Sequence, residues 1–310
     1  MHRRGVPTRR FTIPVILVTA ILVVLVIQVH GMNAEKFPKT LEEIGNESKI
    51  AMVRTFVMRD GVQLPGFTSS PPRTDESDGK PNLLLLHGLG AKNPKIKDHT
   101  TDDWTRLVAH VAFPHTSSVT FFASRGHRGT AGWEATAESD IDQFTWSRLS
   151  RDMLQVADVV STTGKVIMGG SSMGSATALY AALHNPGRVA GLIIVRPPTA
   201  WEERRARRIH LLSSANKCQK MNEPGERYHF VLQGTANSDF PPLSDPVFSS
   251  VLCPVLILAI ENDDSHPLST ATQLRNVLPS AELVISADLQ AAWQEWPEKI
   301  VNFIEKVRVN

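Results

Sequence analysis

The chain has 310 residues, with 33 lysines and arginines set against 31 acidic residues and a formal charge of +2. That length supports one sizeable core with a tail, and the near-neutral balance excludes the strongly basic face that nucleic-acid binding favours. The two cysteines, Cys218 and Cys253, make no disulfide framework; Cys253 stands before Pro254 and an apolar run, where a buried thiol is expected in preference to a Cys218–Cys253 bridge.

Phe11 to Val29 is almost wholly apolar and uncharged, and Arg3, Arg4, Arg9 and Arg10 precede it. A stretch of that length crosses a bilayer, and the basic flank predicts a cytoplasmic N-terminus. Residues 1–10 are expected to be cytoplasmic, 11–30 a transmembrane signal anchor and 31–50 a polar linker. Residues 51–310 then form a lumenal or extracellular domain, a single-pass type II arrangement. A cleaved signal peptide is the alternative, although its apolar region usually runs to only about 7–15 residues.

Ala51 to Asp60 alternates apolar with polar residues, and Gly61 turns it into Val62 to Phe67, the pattern of a hairpin opening a sheet. Ser69 to Pro81 is a solvated Ser/Pro/Asp/Gly loop. Leu83 to Leu86 is an unbroken leucine run, as in a parallel strand buried on both faces, and it leads into His87-Gly88-Leu89-Gly90. Helical spacing with acidic residues in the first turn follows from Asp102. Ser117 to Ala123 is a strand ending in the turn-rich loop Ser124 to Thr130, and Phe144 to Val160 is an amphipathic helix.

Lys165 to Gly169 then reads as a buried strand. It runs into Gly170-Ser171-Ser172-Met173-Gly174 and a helix of small residues from Ser175. Strand, tight turn and helix form the context in which G-x-S-x-G carries meaning: the serine stands at a strained strand tip with its hydroxyl exposed, and small neighbours let strand and helix approach. Val189 to Val195 is a further buried strand, halted by Pro197-Pro198. Residues 199–252 break the alternation with a basic amphipathic helix from Trp201, read as a solvated face, and Pro-rich pieces. The pattern resumes with the strand Pro254 to Ile260, the helix Ser269 to Leu278, the strand Glu282 to Ser286 and a last helix from Trp296, opened by Pro297-Glu298. Such alternation predicts an α/β fold, a mainly parallel sheet flanked by helices. Residues 199–252 would be a lid over the carboxyl ends of its strands, where such sheets carry their sites.

From residue 51 to about 308 these pieces resemble the α/β-hydrolase family, of the serine hydrolase type with esterase-, lipase- and enol-lactonase-like members. The resemblance rests on His87-Gly88 after a strand, Arg125-Gly126-His127 after the next, the Ser172 turn, and Pro254-Val-Leu-Ile-Leu followed by an acidic loop. It implies Ser172 as nucleophile, the amides of Leu89 and Met173 as two donors to a developing oxyanion, and Asp263 as the acid, with Asp264 its less favoured neighbour. Asp263 could instead cap the next helix, and Arg125 and His127 are expected to hold their loop. No metal or organic cofactor is implied, since the chemistry needs only side chains and amides and no Cys/His cluster has ligand spacing.

The family's histidine follows the last strand, and the corresponding slot falls near Gln290; no histidine occurs after His266. Glutamine has no basic lone pair of useful pKa, so Ser172 needs another base. His266, three residues beyond Asp263, is one candidate, although it could simply start a helix before Pro267; His127 and His99 are others, and Asp288 acting directly is a third route. Two functions therefore stand side by side. One is a membrane-anchored serine hydrolase acting on an ester, thioester or similar acyl bond. The other is a degenerate hydrolase that binds a ligand or partner. Trp201, Phe240 and Phe248 in the lid suggest a small acyl or lipid-like ligand.

Overall fold

Leu83 to Leu86 are all buried because β3 (Asn82–Leu86) lies inside the sheet, between parallel β4 (Ser118–Phe122) and β5 (Val166–Ser171), with helices packed against it. Each such leucine contributes about 1.5–3 kcal/mol by leaving water. This computed structural model describes residues 51–70, 79–90, 102–127, 129–132, 141–161, 164–199, 201–221 and 228–307. The segment 11–30, the linker and His99 lie outside the described residues. Among the described residues no helix is long and apolar enough to cross a membrane.

The remaining strands are β1 (Ala51–Val57), β2 (Gln63–Ser69), β6 (Val189–Val195), β7 (Val255–Ile260) and β8 (Ala281–Ser286). They join one sheet in the order β1-β2-β4-β3-β5-β6-β7-β8. β1 and β2 form the antiparallel hairpin that the alternation around Gly61 predicts, β2 runs antiparallel to β4, and every later pair is parallel. From β3 the chain steps to β4 on one side and then to β5 on the other. This reversal opens a crevice beyond the carboxyl ends of β3 and β5.

Helices α1 (Asp103–Ala112), α2 (Trp146–Val160) and α3 (Met173–His184) link the central strands. α3 is buried along almost its whole length, which its Ala-rich sequence permits. Between β6 and β7 lie α4 (Glu202–Ala206), α5 (Arg208–Met221) and α6 (His229–Ala236), followed by a 3₁₀ turn at Pro246–Ser250. Trp201, Phe240 and Phe248 in this region are buried core residues rather than ligand-facing aromatics. Phe240 packs edge-on against Trp146, Tyr180 and Trp201. Both cysteines are unpaired, and burial pushes the Cys253 thiol up to about 11.

α7 (Leu268–Val277) matches the expected helix, but α8 (Leu289–Lys306) begins well before Pro297, the expected start. Its N-cap is Asp288, whose carboxylate accepts the Ala291 N–H at 2.8 Å. Pro297 removes one N–H donor and its ring crowds the Trp293 carbonyl one turn back, but the burial of Ala292, Trp296 and Ile300 along one face carries the helix through it.

Candidate active site

Ser172 stands between β5 and α3 with φ 51° and ψ −110°, outside the regions that L-residues ordinarily occupy. The backbone around it is over-determined. The Ser172 N–H donates to Val195 O at 2.9 Å, and a Cβ on either Gly170 (φ +155°) or Gly174 would overlap the Leu86 carbonyl oxygen. The G-x-S-x-G glycines thus let β3, β5 and α3 converge at one point, leaving the serine hydroxyl at their junction.

His266 Nε2 lies 2.9 Å from Ser172 Oγ, and His266 Nδ1 lies 3.0 Å from Asp263 Oδ2. An ionised carboxylate only accepts, so Nδ1 carries the proton and Nε2 presents its lone pair to the serine hydroxyl. Both side chains come from the loop after β7. Asp263 Oδ1 accepts the Ser265 and His266 N–H groups at 3.1 and 3.2 Å, folding the loop so that a separation of three residues becomes a side-chain contact. Asp263 does not cap α7; its N-cap position is Pro267, without a side-chain bond. Burial lowers the His266 pKa below its ordinary value, Arg196 lowers it further, and Asp263 works in the opposite direction. Burial alone would raise the Asp263 carboxyl, but the charges and hydrogen bonds of His266 and Arg196 outweigh it and hold it below the usual carboxylate range.

The loop after β3 is fixed at three points. Gly88 N–H donates to Asp102 Oδ2 at 2.6 Å, Gly88 O meets His87 Nδ1 at 2.7 Å, and Gly90 N–H donates to His127 Nε2 at 3.2 Å. The Leu89 N–H between them has no acceptor among the described residues. Met173 opens α3, so its N–H has no intrahelical acceptor. These are the two donors expected to face a developing oxyanion.

The other candidates lie elsewhere. His127 is buried, accepts the Gly90 amide and stacks edge-on against His87, and burial holds it well below the ordinary histidine value. Asp288 is an exposed helix cap, Gln290 is exposed in the first turn of α8, and Asp264 is exposed. Arg125 is fully buried and holds Asp152 through Nε and Nη2, both at 2.6 Å. Among the described residues no group of His, Cys, Asp and Glu could hold a metal ion.

Two participants escaped the sequence reading. Asp102 is at once the N-cap of α1, accepting Thr105 N–H at 2.9 Å, and the anchor of Gly88. Arg196 grips Asp263 Oδ2 with Nε at 2.7 Å and Nη2 at 2.6 Å. The available signals were an Asp before a helix and a lone arginine directly after a buried strand.

A family model described as the alpha/beta hydrolase fold matches residues 81–242, slightly over half of the 310-residue chain. No curated protein matches the chain by sequence. Among solved structures, an esterase from Exiguobacterium antarcticum superposes with a TM-score of 0.63 at 13% identity, covering 82% of this chain and 100% of that one. A hydrolase from Pseudomonas aeruginosa PA01 gives 0.60 at 17% identity, covering 82% of this chain and 97% of that one. A thermophilic esterase from Thermogutta terrifontis gives 0.60 at 17% identity, covering 83% of this chain and 99% of that one. The chain belongs to the α/β-hydrolase fold family.

Proposed function

We propose that the protein is a serine hydrolase that cleaves an ester, thioester or similar acyl bond. The observation that carries this reading is the continuous contact from Asp263 through His266 to Ser172, at 3.0 and 2.9 Å. His266 Nε2 takes the hydroxyl proton as Ser172 Oγ attacks the acyl carbon, and the charge that develops on the carbonyl oxygen is met by the Leu89 and Met173 N–H groups. Asp263 holds the imidazole in its Nδ1–H tautomer and stabilises the imidazolium. That imidazolium gives its proton to the leaving group, and His266 then activates water to release the acid from Ser172. A degenerate binder would leave the serine without a base, and nothing in this geometry favours it.

The substrate class is a small acyl or lipid-like molecule. The acyl chemistry follows from the relay, and the lipid-like character is supported by the apolar segment 11–30, which would tether the domain on the lumenal or extracellular side. Residues 199–252, inserted between β6 and β7, would serve as the lid. Tyr228 in that insertion lies over the loop after β3: a Cβ on Gly90 would stand 3.5 Å from its ring.

A fluorophosphonate probe, which reports an activated serine, tests the reading. Folded protein is expected to label rapidly, and Ser172→Ala to lose the label. Absence of labelling in folded protein, or labelling that survives Ser172→Ala, overturns it.

A further inference from the structure

Three of the four described non-glycine residues with left-handed backbone angles are Ser172 (φ 51°), Arg196 (φ 49°) and Asn262 (φ 56°). They follow β5, β6 and β7, so strain is concentrated at the carboxyl ends of three adjacent strands. Ser172 is the reacting serine and Asn262 adjoins Asp263. Arg196 has no place in the relay, and arginine gains nothing from that backbone region, so its side chain must account for the cost.

That side chain is held on both sides. Nε and Nη2 bind Asp263 Oδ2 at 2.7 and 2.6 Å, and the guanidinium lies 5.5 Å over the ring of Trp104. Trp104 is wedged in turn against Trp293 and Trp296 of α8, with ring centroids 5.1 and 4.8 Å away. The segment after β8, where this fold ordinarily supplies its base, here braces a cation.

We propose that Arg196 is a positioning residue of this site, clamping the Asp263 carboxylate so that one oxygen is shared between a permanent cation and His266. The inference rests on the serine hydrolase reading. The clamp has two effects of opposite sign. It fixes the carboxylate in the orientation that meets His266 Nδ1, and it spends part of that carboxylate's charge on arginine, which favours the neutral imidazole able to accept the serine proton. The charged groups acting on His266 are Asp263 and Asp102, which favour imidazolium, and Arg196, which opposes it; burial acts in the same direction as Arg196. The neutral form is lost as pH falls through the histidine's own pKa. The acid limb of reactivity is therefore expected below the ordinary imidazole value of about 6.5.

The test is the pH profile of fluorophosphonate labelling for the wild type, Arg196→Gln and Arg196→Lys, with His266 ring resonances titrated by NMR in each. The midpoint is expected below about 6.5 in the wild type. It should move to higher pH in Arg196→Gln and return towards the wild-type position in Arg196→Lys, which keeps the charge. A uniform loss of rate in Arg196→Gln with the midpoint unmoved overturns the proposal. Should Arg196→Gln not fold, a wild-type NMR midpoint at or above about 6.5 does the same. A wild type that never labels on Ser172 defeats the hydrolase reading instead, whatever the titration shows.

Discussion

Ser172, His266 and Asp263 meet because the loop after β7 folds tightly enough to present two functional side chains from a four-residue stretch. The missing histidine beyond β8 is thus no gap in the relay. On the proposed relay the base lies one loop upstream of that position, three residues beyond the acid. A corollary concerns Gln290, exposed on α8, outside the contact network of Ser172. Gln290→His is expected to leave the labelling rate of Ser172 unchanged, because the proposed relay already gives Ser172 a base in His266. A marked gain in ester hydrolysis by that variant would mean that His266 is not the base and that the vacated position still addresses the serine. In the sequence, His266 was the first candidate base because it stands three residues beyond Asp263, with His127 and His99 as alternatives. What singled it out was the backbone turn made by Asp263 Oδ1, a contact that residue identity alone does not encode.

At the level of elements, the strand–turn–helix around Ser172 was the most legible part of the chain. Its constraint is steric and local: a Cβ at Gly170 or Gly174 would stand only 2.0 or 1.9 Å from the Leu86 carbonyl oxygen. Gly174 lies within α3, where alanine would ordinarily add up to about 1 kcal/mol of helix stability. The overlap with backbone outweighs that gain, because neither the β3 carbonyl nor the helix axis can shift independently. Gly174→Ala is expected to destabilise the fold by about 3 kcal/mol in urea unfolding, and a more stable variant would contradict the close-packing account. α8 was the element least legible. Pro297 looked like a helix start, yet the helix begins at Leu289 because Asp288 caps it and Trp296 is buried against Trp104. Local propensity yielded to tertiary packing. A related reason hid the packing of Trp201, Phe240 and Phe248: they look available in a segment without regular pattern, and only the tertiary structure shows them buried in the main core, with Phe240 against Trp146 and Tyr180.

Across the whole molecule, the alternation of apolar runs and helical patterns determined the parallel sheet, and the motifs at the strand ends determined where its chemistry would lie. The sequence suggested that Arg125 holds its loop, but the partners of it and of the other cross-linking residues were hidden. Arg125 ties Asp60, Gln143 and Asp152 together, Asp102 fastens the loop after β3, and Arg196 joins the ends of β6 and β7. Each spans at least 14 residues of sequence, and charged residues of this kind look like ordinary surface until the sheet brings them together. The relay proposed for this sheet has its base, His266, in the loop after β7. It is tested most directly by the rate of fluorophosphonate labelling of His266→Gln against the wild type near pH 8. A fall of about 10⁴-fold or more in a folded variant is the predicted result, the loss expected when a serine is deprived of its base. Labelling within about tenfold of the wild type would contradict the account and return the search for a base to the rest of the chain.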